Sequence, residues 1–332
     1  MPNAVYTPLT AGRFGVSAPV REVFSVRPLG TVRRALVIAN PGSRDGAGTA
    51  LDRVLGDRTA SVELRVRRLA KGEDAALATR EELGEAWDVV VVAGGDGTVA
   101  GVAAAAGEAG VPVLIAPVGT ANMLAMQLGL PTRLEDAVGL LAGPAAARPI
   151  DGMEIGGRLH FLCVGAGVSA KTVRDLRDTD KRRFGVASYF WVGIGSAWSF
   201  EPTRCTISID GKRMRRRILD VSVLNAGFRS DHPIPGMPDI RPDDGKLDVL
   251  VVWAPRLSEY LRHLGRALMF GRRVRPTVAW WTAERDVAID CREPLPVHAD
   301  GDSFGETPVT IRLVRNAVEI VVPRRDGPSS QR

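Results

Sequence analysis

Apolar positions recur with two different periods along this chain, and the period changes near its middle. In the first half, short apolar runs alternate with helix-period segments. Ala35 to Ala39 is an apolar run that stops at Asn40-Pro41-Gly42, a strong turn signal. Ser61 to Leu69 alternates, with Val62, Leu64 and Val66 on one face, which predicts a strand. Glu73 to Ala86 predicts a surface helix carrying Ala76, Leu77 and Leu83 among its carboxylates. Val89 to Ala93 is a buried strand by composition. It is followed by a small-residue helix from Thr98 to Gly110, a second buried strand from Val111 to Thr120, and a helix from Ala121 closed by Gly129 and Pro131. Arg133 to Pro144 predicts one more helix. Strand and helix alternating through short links predict a parallel sheet covered by helices.

The second half reads as short alternating strands punctuated by Ile-Gly-Gly, Ile-Asp-Gly-Lys, Pro-Asp-Asp-Gly-Lys and Ala-Asp-Gly-Asp turns. This spacing predicts an antiparallel β-sandwich. A basic amphipathic helix interrupts it, with Leu257, Tyr260, Leu261, Leu264 and Leu268 on one face. The expected division is a loose tail over 1–30, an α/β domain over 31–145, a β-sandwich over 146–323 and a disordered tail over 324–332. Phe184 to Phe200 carries no charge, but it lies at the short end of the roughly 17–25 residues a span needs, and reads as a buried helix. The start lacks the basic and apolar regions of a signal peptide, so a soluble chain is expected.

Composition changes this picture little. The 332 residues are 45% hydrophobic and 25% charged, a globular balance, and the length suits two domains. A net charge of +6 favours anionic partners, although much of it is Arg in an Ala- and Gly-rich chain. Cys163, Cys205 and Cys291 are widely separated and match no zinc spacing; they read as small buried or half-buried residues in a reducing cytoplasm. His160, His232, His263 and His298 have no ligand spacing and are assigned no role.

Chemistry concentrates in three glycine-rich loops that follow predicted strands: Asn40 to Gly48, Gly94 to Thr98, and Gly119 to Asn122. Glycine admits positive φ and lets a ligand approach the backbone. Successive amides at a helix N-terminus hold phosphate, and Thr98 adds a hydroxyl able to cap the helix. Asp96 is the odd member, because a carboxylate repels phosphate unless it meets Mg²⁺, a hydroxyl or a cation. Three such loops at one sheet edge point to a nucleotide site. Neither the Walker pattern nor Gly-x-Gly-x-x-Gly after the first strand is present.

In order along the chain, Asn-Pro-Gly-Ser-Arg-Asp-Gly, Gly-Gly-Asp-Gly-Thr, Pro-Val-Gly-Thr-Ala-Asn and Asp-Asp-Gly-Lys-Leu-Asp-Val resemble the bacterial diacylglycerol kinase-like lipid kinase family, related to sphingosine kinases and NAD kinases. The resemblance runs from about Ala35 to Pro323. It implies an ATP-binding α/β domain, a lipid-binding β-sandwich and an active site in the cleft between them. ATP is expected on Asn40, Pro41, Gly42, Ser43 and Arg44, on Gly94, Gly95, Asp96, Gly97, Thr98, Val99 and Ala100, and on Gly119, Thr120 and Asn122. A structural Mg²⁺ is expected on the carboxylate of Asp244, with Arg241 and Lys246 contributing backbone carbonyls. The family's late Asp-Gly-acid motif falls on Asp300, Gly301 and Asp302. Three departures stand out: Ala100 and Gly101 replace the usual Asn-Glu, Leu69 stands where a Thr is usual, and Met123 replaces the Asp after Asn122.

The implied reaction is ATP- and Mg²⁺-dependent phosphorylation of a lipid hydroxyl, with Asp302 or Asp300 as base and Asp96 near the metal. From spacing alone an Asx turn explains Asp300 and Asp302 equally well. A peripheral location on an anionic membrane is expected from the basic clusters Asp180 to Phe184, Lys212 to Arg217 and Phe270 to Pro276, with Trp191, Trp198, Trp280 and Trp281 as interfacial aromatics. A homodimer stays open, and no nucleic-acid recognition motif is present. Two other readings compete: an NAD kinase, and a catalytically silent lipid-binding protein on the same fold.

Overall fold

The four valines of β4 (Val89–Ala93) sit inside a parallel sheet in the order β5 (Val113–Ala116), β4, β2 (Arg34–Ala39), β3 (Glu63–Arg68). Alternate residues feed two separate cores. Leu36, Ile38, Val90 and Val92 face one side, where α2 (Ala75–Glu82) and α3 (Asp96–Glu108) pack. Ala35, Val37, Val89, Val91 and Ala93 face α1 (Ala47–Arg58) and α5 (Leu134–Val138) on the other. Burial on both faces is why β4 is a continuous apolar run rather than an alternating one. Each fully buried valine contributes roughly 1.5–3 kcal/mol. The computed structural model describes residues 26–40, 47–59, 61–119, 122–178, 201–226, 238–253 and 278–324.

The antiparallel part is a sandwich of two sheets. One runs β13 (Val278–Ala283), β12 (Leu247–Val252), β11 (Asp220–Leu224), β8 (Cys163–Gly167), β15 (Pro296–Ala299), β16 (Asp302–Glu306). The other contains β10 (Lys212–Ile218), β9 (Thr203–Ile209), β14 (Asp286–Cys291) and β17 (Val309–Pro323). Ile207, Ile289 and Ile311 meet Val164, Val221 and Val249 in the core between them. The expected pairing of an α/β unit with an antiparallel sandwich is therefore present.

What periodicity did not reveal is that β17 belongs to both parts. Its first residues pair with β14, and its last residues lie parallel to β5 through Ile320 and Val113. Along its length it pairs with β6 (Ala145–Ile155), with a register shift between Val314 and Val318. The small-residue character of α3 is explained by the same strand. A Cβ built on Gly107 would lie 2.0 Å from the carbonyl oxygen of Ala317, so only glycine lets the helix approach β17 this closely.

Several local expectations are corrected. Arg27–Pro28 is not loose: it forms a short strand, β1, against Ala146 and Ala147 of β6. α1 was not anticipated, because only Leu51, Val54 and Leu55 bury among its Gly, Asp and Arg residues. α2 is shorter than predicted; Asp74 caps it by accepting from the Ala76 and Leu77 amides. The last helix of this half is broken into α5 and a 3₁₀ turn at Gly139–Leu141. The apolar stretch Phe184 to Phe200 and the amphipathic helix near Leu257 to Leu268 lie outside the described residues, as do the first 25 residues. Among the described residues no helix is long and apolar enough to cross a membrane.

Cys205 and Cys291 stand opposite each other across β9 and β14 and are joined by a disulfide. Reading the three cysteines as isolated residues missed this, because 86 positions separate the pair and only strand pairing brings it together. Cys163 is a free thiol whose pKa is pushed up to about 12, first by burial and then by the charges of Asp300 and Asp220. Non-reducing peptide mapping should therefore recover a linked Cys205–Cys291 peptide, with Cys163 alkylated only after unfolding. Cys291→Ser should lower Tm, the chain-entropy model giving a loss on the order of 4 kcal/mol for a loop of this size. Equal Tm with and without reductant would deny the bond any stabilising part.

Candidate active site

The carboxyl edge of the parallel sheet is where two of the glycine loops meet. A Cβ on Gly119 would lie 2.8 Å from the carbonyl oxygen of Gly94 and 2.9 Å from the Cα of Gly95. A Cβ on Gly94 would lie 2.6 Å from that of Thr98. Gly94, Gly95, Gly97 and Gly119 do not adopt positive φ, contrary to one of the two roles expected of them. Gly119 is glycine because the loops after two adjacent strands press together there, and Gly94 because Thr98 of its own loop folds against it. The left-handed position is Asn122, at φ 48°, whose side chain exchanges two 3.0 Å hydrogen bonds with the backbone of Gly119.

Asn40 joins the same edge. Its amide donates to the Ala93 carbonyl, and its Nδ2 donates to Oγ1 of Thr98 at 2.9 Å. Thr98 thus lies inside α3 and does not cap it; Gly95 holds the N-cap position without a side-chain bond. Val99 is buried in the core and Ala100 packs against it, so both contribute position rather than polar side-chain contact. Pro41, Gly42, Ser43, Arg44 and Thr120 lie outside the described residues.

Asp96 opens α3 and accepts from the Met123 amide at 2.7 Å, tying this loop to the start of α4 (Met123–Leu128). Burial raises its pKa, partly offset by the Met123 and Leu124 amides, and the charge of Asp300 raises it further. The departure at 101 has a packing cause, whereas nothing in the structure explains Ala100. A Cβ on Gly101 would lie 3.1 Å from the Ala76 amide nitrogen and 3.2 Å from the Cβ of Ala75, so α2 occupies the space an acidic side chain would need. Leu69 is a buried core residue, and Met123 is exposed.

The two carboxyl groups of the β15–β16 hairpin have different surroundings. Asp300, at φ 49°, accepts from the amides of Phe161, Leu162 and Cys163, each at 2.9 Å, and its own amide donates to the Cys163 carbonyl. It clamps the hairpin to the start of β8. Asp302 is exposed, and its Oδ2 lies 3.4 Å from where a Cβ would stand on Gly97. The hairpin therefore places Asp302 over the first turn of α3, at the residue that follows Asp96.

The expected metal residues lie in the loop before β12. Asp244 accepts from the Lys246 amide, Lys246 Nζ is 3.9 Å from Glu284, and Arg241 Nε is 3.6 Å from Asp243. Both cationic side chains are thus directed at carboxylates, and only their carbonyls suit a cation. Burial, Asp244 and Asp239 push the pKa of Asp248 up to about 6, so like charge accumulates beside this loop. Oxygen donors and crowded carboxylates fit Mg²⁺ chemistry, with backbone carbonyls making up the set. Among the described residues no three His, Cys, Asp or Glu side chains form a metal cluster.

Three residues escaped sequence reasoning. Asp151 is buried and accepts from the amides of Gly245 and Asn316. Asn225 is fully buried and donates to the carbonyls of Asp151 and Phe161. His160 Nδ1 lies 3.5 Å from Oδ2 of Asp300. The one available signal was an isolated polar residue inside or just after an apolar strand, as at Asp151 and Asn225.

Residues 34–155 match the diacylglycerol kinase catalytic domain, and residues 162–322 match the YegS C-terminal NAD kinase beta sandwich-like domain. The chain is 28% identical over 303 residues to a diacylglycerol kinase of Bacillus subtilis (strain 168), covering 88% of this chain and 97% of that protein. It is 26% identical over 250 residues to the uncharacterized protein sll0036 of Synechocystis sp., where the match takes in 74% of this chain and 57% of the length of that relative. The crystal structure of a diacylglycerol kinase from Bacillus anthracis str. Sterne superimposes with a TM-score of 0.63 at 21% identity, over 88% of this chain and 97% of that one, which speaks for the fold. Two consecutive domain matches, in the order the sandwich and the glycine loops require, make this chain a member of the diacylglycerol kinase-like family of lipid kinases.

Proposed function

We propose that this chain transfers the γ-phosphoryl group of ATP to the hydroxyl of a membrane lipid of diacylglycerol, phosphatidylglycerol or sphingoid type. One observation carries the reading: Asp302 Oδ2 stands over Gly97, at the positively polarised end of α3 that Asp96 opens. Phosphates of the nucleotide would lie along Asn40 and the chain after it, Gly94 to Thr98, and Gly119 to Asn122. The first amides of a helix lack carbonyl partners and suit phosphate oxygens.

In the proposed step the lipid oxygen attacks the γ-phosphorus, the bond to the β,γ-bridging oxygen breaks, and ADP leaves. The hydroxyl proton passes to Asp302. Asp300 is a poor base, since three backbone amides already occupy its oxygens; it positions the hairpin. Mg²⁺, when bound, supplies charge neutralisation between the phosphates and Asp96. A second Mg²⁺ would be held by Asp244 with the carbonyls of Arg241 and Lys246. We further infer contact with an anionic membrane surface, through which the substrate arrives.

A transfer assay with labelled ATP against diacylglycerol, phosphatidylglycerol, ceramide, sphingosine and NAD tests the reading; transfer to NAD alone would replace it with an NAD kinase. Asp302→Asn should lower kcat by about 10²–10⁴ while ATP binding and Tm hold. Asp300→Asn should instead lower stability by roughly 1–3 kcal/mol, seen in denaturant unfolding, because one of the two oxygens that accept from backbone amides becomes a donor. Full activity in Asp302→Asn would remove Asp302 from the chemistry.

Asp96 makes a separate expectation. Its folded pKa lies above the unfolded value, so its contribution to stability is present below the unfolded pKa and is lost as pH rises through the folded one. Asp96→Asn imitates the protonated form, so transfer should vanish while Tm at neutral pH stays equal or rises. A large drop in Tm would show that the ionised side chain is structural. MgCl₂ should raise the Tm of the wild type in the absence of ATP, and Asp244→Ala should abolish that shift.

A further inference from the structure

Charge is compensated unevenly over this molecule. Around the parallel sheet, Arg34, Arg65, Arg67, Arg68 and Arg80 each meet a carboxylate, from Glu85, Glu82, Glu73, Asp52 and Glu108 in turn. The outer edge of the sandwich is the opposite. There β10, the last strand of its sheet, reads Lys-Arg-Met-Arg-Arg-Arg-Ile. Arg215, Arg216 and Arg217 line a groove of about 520 Å³ together with Arg204 and Arg292 from neighbouring strand segments. All five are exposed. Among the described residues none of the five forms an ion pair; the side-chain bonds seen are from Arg217 to the Pro202 carbonyl and from Arg216 to the Arg215 carbonyl.

Strand register sets the groove. Arg217 is opposite Arg204 and Arg215 is opposite Thr206, so these side chains share a face. The Cys205–Cys291 disulfide lies at the base and ties β9 to β14 beneath them. Asp290 is the single carboxylate in the lining, against five guanidiniums. Like charges held this close oppose folding unless an anion compensates them. Protection of a sheet edge accounts for one or two charges of either sign on β10. It does not account for Arg204 and Arg292, which lie off that strand.

Guanidinium groups recognise phosphate oxygens in pairs and with planar geometry. We propose that this groove docks the phosphodiester headgroups of anionic phospholipids, laying the edge of the sandwich against an acidic bilayer. The choice of a lipid over a nucleic-acid phosphate rests on the lipid-kinase reading; the charge geometry does not.

Cosedimentation with phosphatidylcholine vesicles, with and without phosphatidylglycerol, tests this. Binding is expected only with phosphatidylglycerol, and should weaken as salt is added. The double variant Arg215→Gln/Arg217→Gln, with unchanged Tm, should bind roughly 25-fold more weakly, at about fivefold per arginine near the surface. Arg65→Gln/Arg68→Gln removes the same charge from paired sites and should bind as the wild type does. Equal loss in both variants would reduce the effect to net charge and overturn the proposal. So would a groove variant that loses retention on DNA but keeps its vesicle binding. Vesicle binding needs no turnover, so failure of every transfer assay would leave this result standing. Undiminished vesicle binding by the groove variant would sink the proposal and leave the kinase reading untouched.

Discussion

Three distant segments of the chain converge on one buried residue, Asp151. Its carboxyl group accepts from the amides of Asn316 and Gly245, its own amide donates to the Pro242 carbonyl, and its carbonyl accepts from Asn225. These bonds hold the register shift between β6 and β17, where Asn316 takes φ 50°. That shift lies where one strand passes from the sandwich to the parallel sheet. A buried hydrogen-bonding group left without its partner costs about 1–3 kcal/mol. The junction and the loop carrying Asp244 therefore depend on a side chain distant from both in sequence.

The geometry of the candidate site follows from two attachments to this frame. α3 is pressed against β17 through Gly107, which fixes where the Gly94 to Thr98 loop ends. The β15–β16 hairpin is clamped by Asp300 to Phe161, Leu162 and Cys163, next to a chain paired with β6. Asp302 comes to lie over Gly97 because both supports are rooted in the same pair of strands. Groups held on rigid elements keep their geometry better than groups on loops.

Electrostatics divides the molecule along the same line. Around the parallel sheet, Arg34, Arg65 and Arg80 sit in ion pairs, each worth little by itself in water. The five arginines of the groove at the sandwich edge have no such partners among the described residues.

Much of the fold was legible in local pattern. The buried runs at β4 and β5, the alternating strands of the sandwich and the turn glycines follow from side-chain period and backbone preference, which neighbouring residues set among themselves. The glycine loops marked a candidate site for the same reason, and the motif order indicated the family. Tertiary structure decided what depends on contacts between distant segments. It paired Cys205 with Cys291, gave β17 to both halves, made Gly119 a matter of loop-to-loop packing rather than of φ, and separated the structural Asp300 from the exposed Asp302. In each case the deciding atoms belong to residues far apart in the chain. No local propensity encodes which distant amide or thiol a side chain will face.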